Sequence, residues 1–143
     1  MRLLPFGFVL AGCAAPEVTW RDIGTYHVSY ERTFDLCKET VKSMGLRVEK
    51  EDEEKGSLET AFRVYRTLVP GQGKQSYLKI QLFRQGASYT QVKALGLKQT
   101  NENPSGVTSN PENAHWAPDE QDRDIEREFT YKLEYRMRVE RAQ

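Results

Sequence analysis

The chain has 143 residues, of which 38% are hydrophobic, 10% aromatic and 29% charged. That suits one domain with an aromatic-seeded core and excludes wholesale disorder. Lys plus Arg equals Asp plus Glu at 21 each, so no global positive field exists to hold nucleic acid, and no apolar run reaches the roughly 18–20 residues of a membrane-spanning helix.

Residues 1–12 carry a single charge, Arg2, then an apolar stretch from Leu3 to Leu10, then the small residues Ala11 and Gly12 before Cys13. A charged start, an apolar centre and small residues before the cut are the parts of a secretory signal. The tetrapeptide Leu10-Ala11-Gly12-Cys13 resembles the lipobox of bacterial lipoproteins. The resemblance implies diacylation of the Cys13 thiol and cleavage before it. Ala14 in place of Asp after the cysteine implies the outer membrane, facing the periplasm, in a Gram-negative cell. Two or three acyl chains anchor stably where one would not, at about 0.8 kcal/mol per buried methylene. The competing reading is an ordinary cleaved signal or a buried N-terminal strand with Cys13 incidental.

The mature chain would start with a lipidated tether over residues 13–24, containing Pro16, with Val18, Trp20 and Ile23 able to dock on the domain. Residues 25–143 then form one α+β domain. Thr25 to Tyr30 alternates as a strand, with Tyr26, Val28 and Tyr30 on one face. Glu31 to Met44 reads as a helix, because Phe34, Cys37, Val41 and Met44 fall on one stripe before Gly45. Glu49 to Gly56 is a charged hairpin turn. Leu58, Thr60, Phe62 and Val64 share one strand face. After a Val69–Gly73 turn come Leu78, Ile80 and Leu82 on a second strand. A Gln85–Ala87 turn leads to a third, Ser88 to Gln99, with Val92 and Ala94 inward. Residues 100–121 are polar and hold three prolines, a long loop of the kind that tends to be functional. Asp122 to Arg141 is a final helix with Ile125, Phe129 and Leu133 at four-residue spacing and Met137 less regular.

This order predicts a single antiparallel sheet of about four to five strands with two helices packed on one face. Phe34, Val41, Phe62, Ile80, Phe129 and Leu133 are its expected core. Between Tyr30 and Thr60 an aromatic, a helix with Phe34, the run Met44-Gly45-Leu46-Arg47-Val48-Glu49 and a Lys55-Gly56 hairpin backed by Leu58 resemble the helix-grip domains of BamC-like outer-membrane lipoproteins. The resemblance covers about a quarter of the mature chain and implies a fold, not a functional motif.

Catalytic spacing is lacking. His27 and His115 stand 88 residues apart with no ligand pattern around them, so no metal or cofactor is expected. The acidic run Glu49 to Glu54 lacks the calcium-loop pattern and reads as a solvated turn. Gly71-Gln72-Gly73-Lys74 lacks the phosphate-loop spacing and sits between strands. Cys37 lies on the core stripe, and with Cys13 acylated it has no disulfide partner. In the long loop, His115 and Trp116 are the candidate partner-binding residues, either packed back on the domain or presented. The expected function is a non-enzymatic binding or scaffold module, anchored to the membrane through lipid on Cys13 and contacting an envelope protein or polymer. The alternatives are a carrier of a small apolar ligand between sheet and helix, and, third, a hydrolase.

Overall fold

The computed structural model describes residues 18–66, 73–102 and 116–142. In chain order the elements are β1 (Arg21–Tyr26), α1 (Tyr30–Ser43), β2 (Val48–Asp52), β3 (Ser57–Thr60), β4 (Arg63–Arg66), β5 (Gly73–Gln85), β6 (Tyr89–Thr100), β7 (Glu120–Gln121) and α2 (Arg123–Ala142). They build one antiparallel sheet and two helices, the α+β class that the residue pattern predicts.

The spine is the long hairpin β5–β6, in register from Lys74 opposite Thr100 to Gln85 opposite Tyr89. The sheet runs β1-β6-β5-β3-β2, with β4 added to β5 and β7 added to β6, giving seven strands among the described residues. The two strands beyond the expected number have one cause. β5 and β6 outreach their other neighbours, so the far ends of both need partners for their backbone groups. Arg63 to Arg66 pairs with Gly73 to Ser76, and Glu120–Gln121 pairs with Leu97–Lys98.

β1 begins at Arg21, inside the stretch expected to be tether, and ends before the expected strand does. Ser29 explains the shift, because its hydroxyl accepts from the Arg32 N–H at 3.2 Å and caps α1. His27 to Ser29 therefore leave the sheet, and Tyr30 becomes the first helical residue. α1 ends as its sequence predicts: Gly45 takes φ +75°, the Gly45 N–H donates to Lys42 O at 3.0 Å and the Leu46 N–H to Val41 O at 3.0 Å.

Both helices lie on one sheet face and run antiparallel, since Arg32 meets Glu140 while Glu39 meets Arg136. Between the layers Phe34, Cys37, Val41, Leu78, Ile80, Leu82, Val92, Ala94, Ile125, Phe129, Leu133 and Met137 form one buried cluster. Phe62 does not belong to it and is 44% exposed. The strand expected through Leu58, Thr60, Phe62 and Val64 breaks at Ala61, whose N–H turns to Arg47 O at 2.8 Å. Pairing resumes out of phase, and a one-residue slip exchanges the two faces. Arg63 then points to the helix side, where it reaches Met44 O and the Glu128 carboxylate. Phe62 turns to the opposite face and packs edge-on against Tyr77, centroids 4.7 Å apart.

Candidate functional site

Cys13 and His115 lie outside the described residues. Trp116 is half-buried in an antiparallel bridge with Asn101, and the following Ala117 N–H donates to Thr100 O at 2.8 Å. Its backbone is thus fixed along the end of β6. Asp119 continues that run and accepts from the Tyr77 hydroxyl at 2.9 Å. Both ends of the expected loop 100–121 are therefore sheet-bound.

The residues weighed for chemistry are dispersed. His27 stacks on Tyr89 at 4.8 Å. Cys37 is fully buried, and burial pushes its thiol far up, which keeps it inert. The acidic run expected as a turn over Glu49 to Gly56 is a strand as far as Asp52, because pairing with β3 extends to Asp52 opposite Ser57, and only residues 53–56 turn. Its members are engaged locally. Glu51 pairs with Lys38 at 3.4 Å, Asp52 accepts from the Lys55 N–H at 3.0 Å, and the Glu53 carbonyl accepts from the Tyr30 hydroxyl at 2.7 Å. Among the described residues no group of three or more His, Cys, Asp or Glu is placed to hold a metal.

A buried acidic pair at the start of α2 escapes the sequence reading. Asp122 caps the helix, accepting from the Asp124 and Ile125 N–H groups at 3.1 and 3.4 Å. It also accepts from the Ser76 hydroxyl at 2.6 Å and faces Lys74 Nζ at 3.8 Å. One turn on, Glu126 is fully buried and accepts from the Gln121 carboxamide at 2.8 and 3.2 Å, with Arg123 at 3.4 Å. Burial raises its pKa above the ordinary carboxylate value, against the pull of Gln121 and Arg123. The pair fastens α2 to the sheet at Gly96, whose carbonyl accepts from the Asp122 N–H at 2.8 Å. Ser76 donates to one oxygen of Asp122 while the other caps α2, so the cluster ties the start of the helix to β5.

The other feature lies on the outside of the helix layer. α2 buries Ile125, Phe129, Leu133 and Met137. It carries a second apolar row, Tyr131, Tyr135 and Val139, at the same four-residue step. The rows are offset by two residues, which at about 100° per residue sets them on opposite faces. Tyr131 is 77% and Tyr135 64% exposed. Tyr135 and Arg136 sit between two dents in the furrow separating α1 from α2. One dent, of about 410 Å³, also touches Ser43, Tyr131 and Lys132. The other, of about 220 Å³, is lined by Arg32, Leu36, Glu39, Val139 and Glu140 as well. A fork from Arg32 to Glu140 at 2.8 and 3.0 Å, and Arg136 on Glu39 at 3.4 Å, hold its walls. Tyr and Arg on a fixed framework are the residue types that dominate protein interfaces. The signal for this site is present in the sequence, as a final helix with two apolar stripes.

No protein-family model matches this chain, and no curated protein matches it.

Proposed function

We propose that this chain is a non-catalytic, lipid-anchored module of the cell envelope that docks a protein partner in the furrow between α1 and α2. Lipid on Cys13 supplies the anchor, on the resemblance of Leu10-Ala11-Gly12-Cys13 to a lipobox. The carrying observation for docking is the exposed row Tyr131, Tyr135 and Val139 on a helix whose opposite face is already wholly buried. The core does not need that row, and a soluble helix normally keeps such a face polar. Around the row Lys132, Arg136 and Arg138 alternate with Glu134, Glu39 and Glu140, the last two holding Arg136 and Arg32 in ion pairs. The partner that fits is therefore a protein segment with an apolar centre and a border of mixed charge. In a Gram-negative cell the setting is the outer membrane, on its periplasmic side.

The reading is tested with the full chain in the cell, carrying a photo-crosslinking amino acid at position 135 or, as a control, at the exposed Gln85. A discrete adduct from 135 that is absent from 85 and lost in Tyr131→Ser/Val139→Ser is expected. Equal adducts from both positions, or an adduct indifferent to the double substitution, would overturn the docking site. Fatty-acid labelling that is equal in the native chain and Cys13→Ala would overturn the anchor.

A further inference from the structure

We infer that the sheet face opposite the helices, around Trp20, is the surface this domain lays against the phospholipid headgroups of its own membrane. The inference rests on the lipid-anchor reading above and deepens it by orienting the domain.

Five peptide steps separate Cys13 from Val18, the first residue described. At 3.3–3.6 Å per residue they reach no farther than about 18 Å. A lipid on Cys13 therefore keeps Val18 within that distance of the bilayer surface, comparable with the radius of a domain this size. Whichever face receives the tether is held near the membrane.

The receiving face is defined by Thr19. Its N–H donates to Gln121 Oε1 at 3.1 Å and its carbonyl accepts from Gln121 Nε2 at 2.7 Å. One carboxamide thus clamps both backbone groups and pins the end of the tether beside β7. Gln121 is itself held by the buried Glu126 carboxylate. The residues flanking the clamp, Val18 and Trp20, are apolar and exposed, Trp20 by 40%. Trp20 lies over the outer sheet face, bordering a dent of about 260 Å³ with Lys50, Ser57, Glu59, Lys79 and Gln81.

The chemistry of this face suits a headgroup layer. An indole sits most favourably at the boundary between water and acyl chains, where its ring is half-buried and its N–H stays wet. Lys50 and Lys79 flank Glu59 across three strands, since Lys50 pairs Glu59 and Glu59 pairs Lys79. Lys93 follows, opposite Gln81 and over the Phe83 ring at 5.4 Å. Lysine stems lie along apolar surface while their ammonium groups reach phosphates. Three lysines stand among Glu59, Asp22 and Asp119, so this face is electrically balanced and offers its ammonium groups as individual phosphate contacts, not as a net field. With the sheet toward the membrane, the helix furrow faces away from it, open to a partner.

Trp20 and Trp116 are the two tryptophans, so Trp116→Phe leaves Trp20 as the single reporter. The test uses the lipidated full-length product carrying Trp116→Phe, reconstituted in phosphatidylcholine–phosphatidylglycerol vesicles with and without bromine on the acyl chains. The expected result is loss of most Trp20 emission in brominated vesicles, with a shift to shorter wavelength relative to detergent. Adding Lys50→Gln/Lys79→Gln should reduce that quenching while leaving the lipid mass on the protein unchanged. A protein that carries lipid by mass spectrometry, yet whose Trp20 ignores bromine and stays open to aqueous iodide, overturns the orientation and leaves the anchor standing. Shielding of Trp20 from iodide only when envelope protein is added overturns it too, in favour of a protein contact. Absence of lipid from the purified chain overturns both.

Discussion

Gly96→Ala should unfasten α2 from the sheet, and the structure sets the size of the effect. A Cβ at residue 96 would lie 2.4 Å from the Asp122 carbonyl oxygen, 2.4 Å from Ile125 Cγ2 and 3.0 Å from Glu126 Cγ. The oxygen belongs to the backbone and cannot rotate away, so the start of α2 must withdraw by about 1 Å to restore ordinary contact. The Asp122 N–H to Gly96 O bond, now 2.8 Å, would then stretch past useful length. Overpacking costs about 1–3 kcal/mol, and weakening a buried hydrogen bond adds about 1 kcal/mol. Alanine returns about 0.4–1 kcal/mol by stiffening the unfolded chain. The net loss is about 1–3.5 kcal/mol, which for a domain of this size lowers the thermal midpoint by about 5–15 °C. Urea denaturation followed by circular dichroism measures it. Ile125→Ala in the same chain removes one of the two clashing atoms, so the double variant should be less destabilised than the sum of the singles. A Gly96→Ala curve within about 0.5 kcal/mol of the native one would refute this account of how α2 is seated.

Glu126 gives a pH prediction. Its native pKa is raised by burial, so between its unfolded value of about 4.3 and that raised value the native state holds more protons than the unfolded chain. Its contribution to stability is therefore greatest below the unfolded pKa and falls as pH rises toward the native one. Glu126→Gln keeps an acceptor for Gln121 and removes the titration. The variant should gain on the native protein as denaturation curves move from pH 4 to pH 7, and a pH-independent difference would contradict this. Two phenylalanines separate the core from the outer face. Phe34→Ala should cost about 3–5 kcal/mol, whereas Phe62→Ala should lose little beyond its edge contact with Tyr77, about 0.5–1.5 kcal/mol. Equal losses in urea would show that Phe62 is a core residue after all.

Periodicity reveals which residues share a face as long as the element is unbroken. Phe34, Cys37 and Val41 on α1, Ile125, Phe129 and Leu133 on α2, and Leu78, Ile80 and Leu82 on β5 all lie where their spacing places them. Phase is lost at a break. Nothing in Leu58 to Val64 announces the slip at Ala61, because the apolar alternation continues through it and only the pairing of Arg63 with Ser76 resets the face. Composition misleads in another way at Asp122 and Glu126, since carboxylates are almost never fully buried unless paired. The available clue is Gly96, a glycine inside a strand rich in apolar residues, which marks a close approach of another backbone. β7 was illegible for a different reason: two residues of a polar segment pair with β6 because that strand's edge is free there, a tertiary cause with no local signature. Tyr131, Tyr135 and Val139 were legible as spacing, yet stood in the shadow of the stronger core stripe two residues away.

The packing between sheet and helices bears on the choice between a docking module and a carrier. A ligand lodged between the layers would need space that Phe34, Val41, Leu78, Ile80, Phe129, Leu133 and Met137 already fill, each of them no more than 1% exposed. Lifting α2 to make room would uncover Ile125, Phe129, Leu133 and Met137, at about 1.5–3 kcal/mol per side chain, or roughly 6–12 kcal/mol together. That approaches the whole stability of a typical domain, about 5–15 kcal/mol. The buried links of Asp122 to Ser76 and of Glu126 to Gln121 would be stretched in the same motion. A bound apolar molecule would have to offset all of this before showing any net affinity, whereas the furrow beside Tyr131 and Tyr135 is open without moving an atom of the core. The energetics thus favour recognition on the outside of the helix layer, and they tie any partner's affinity to the few side chains that line it.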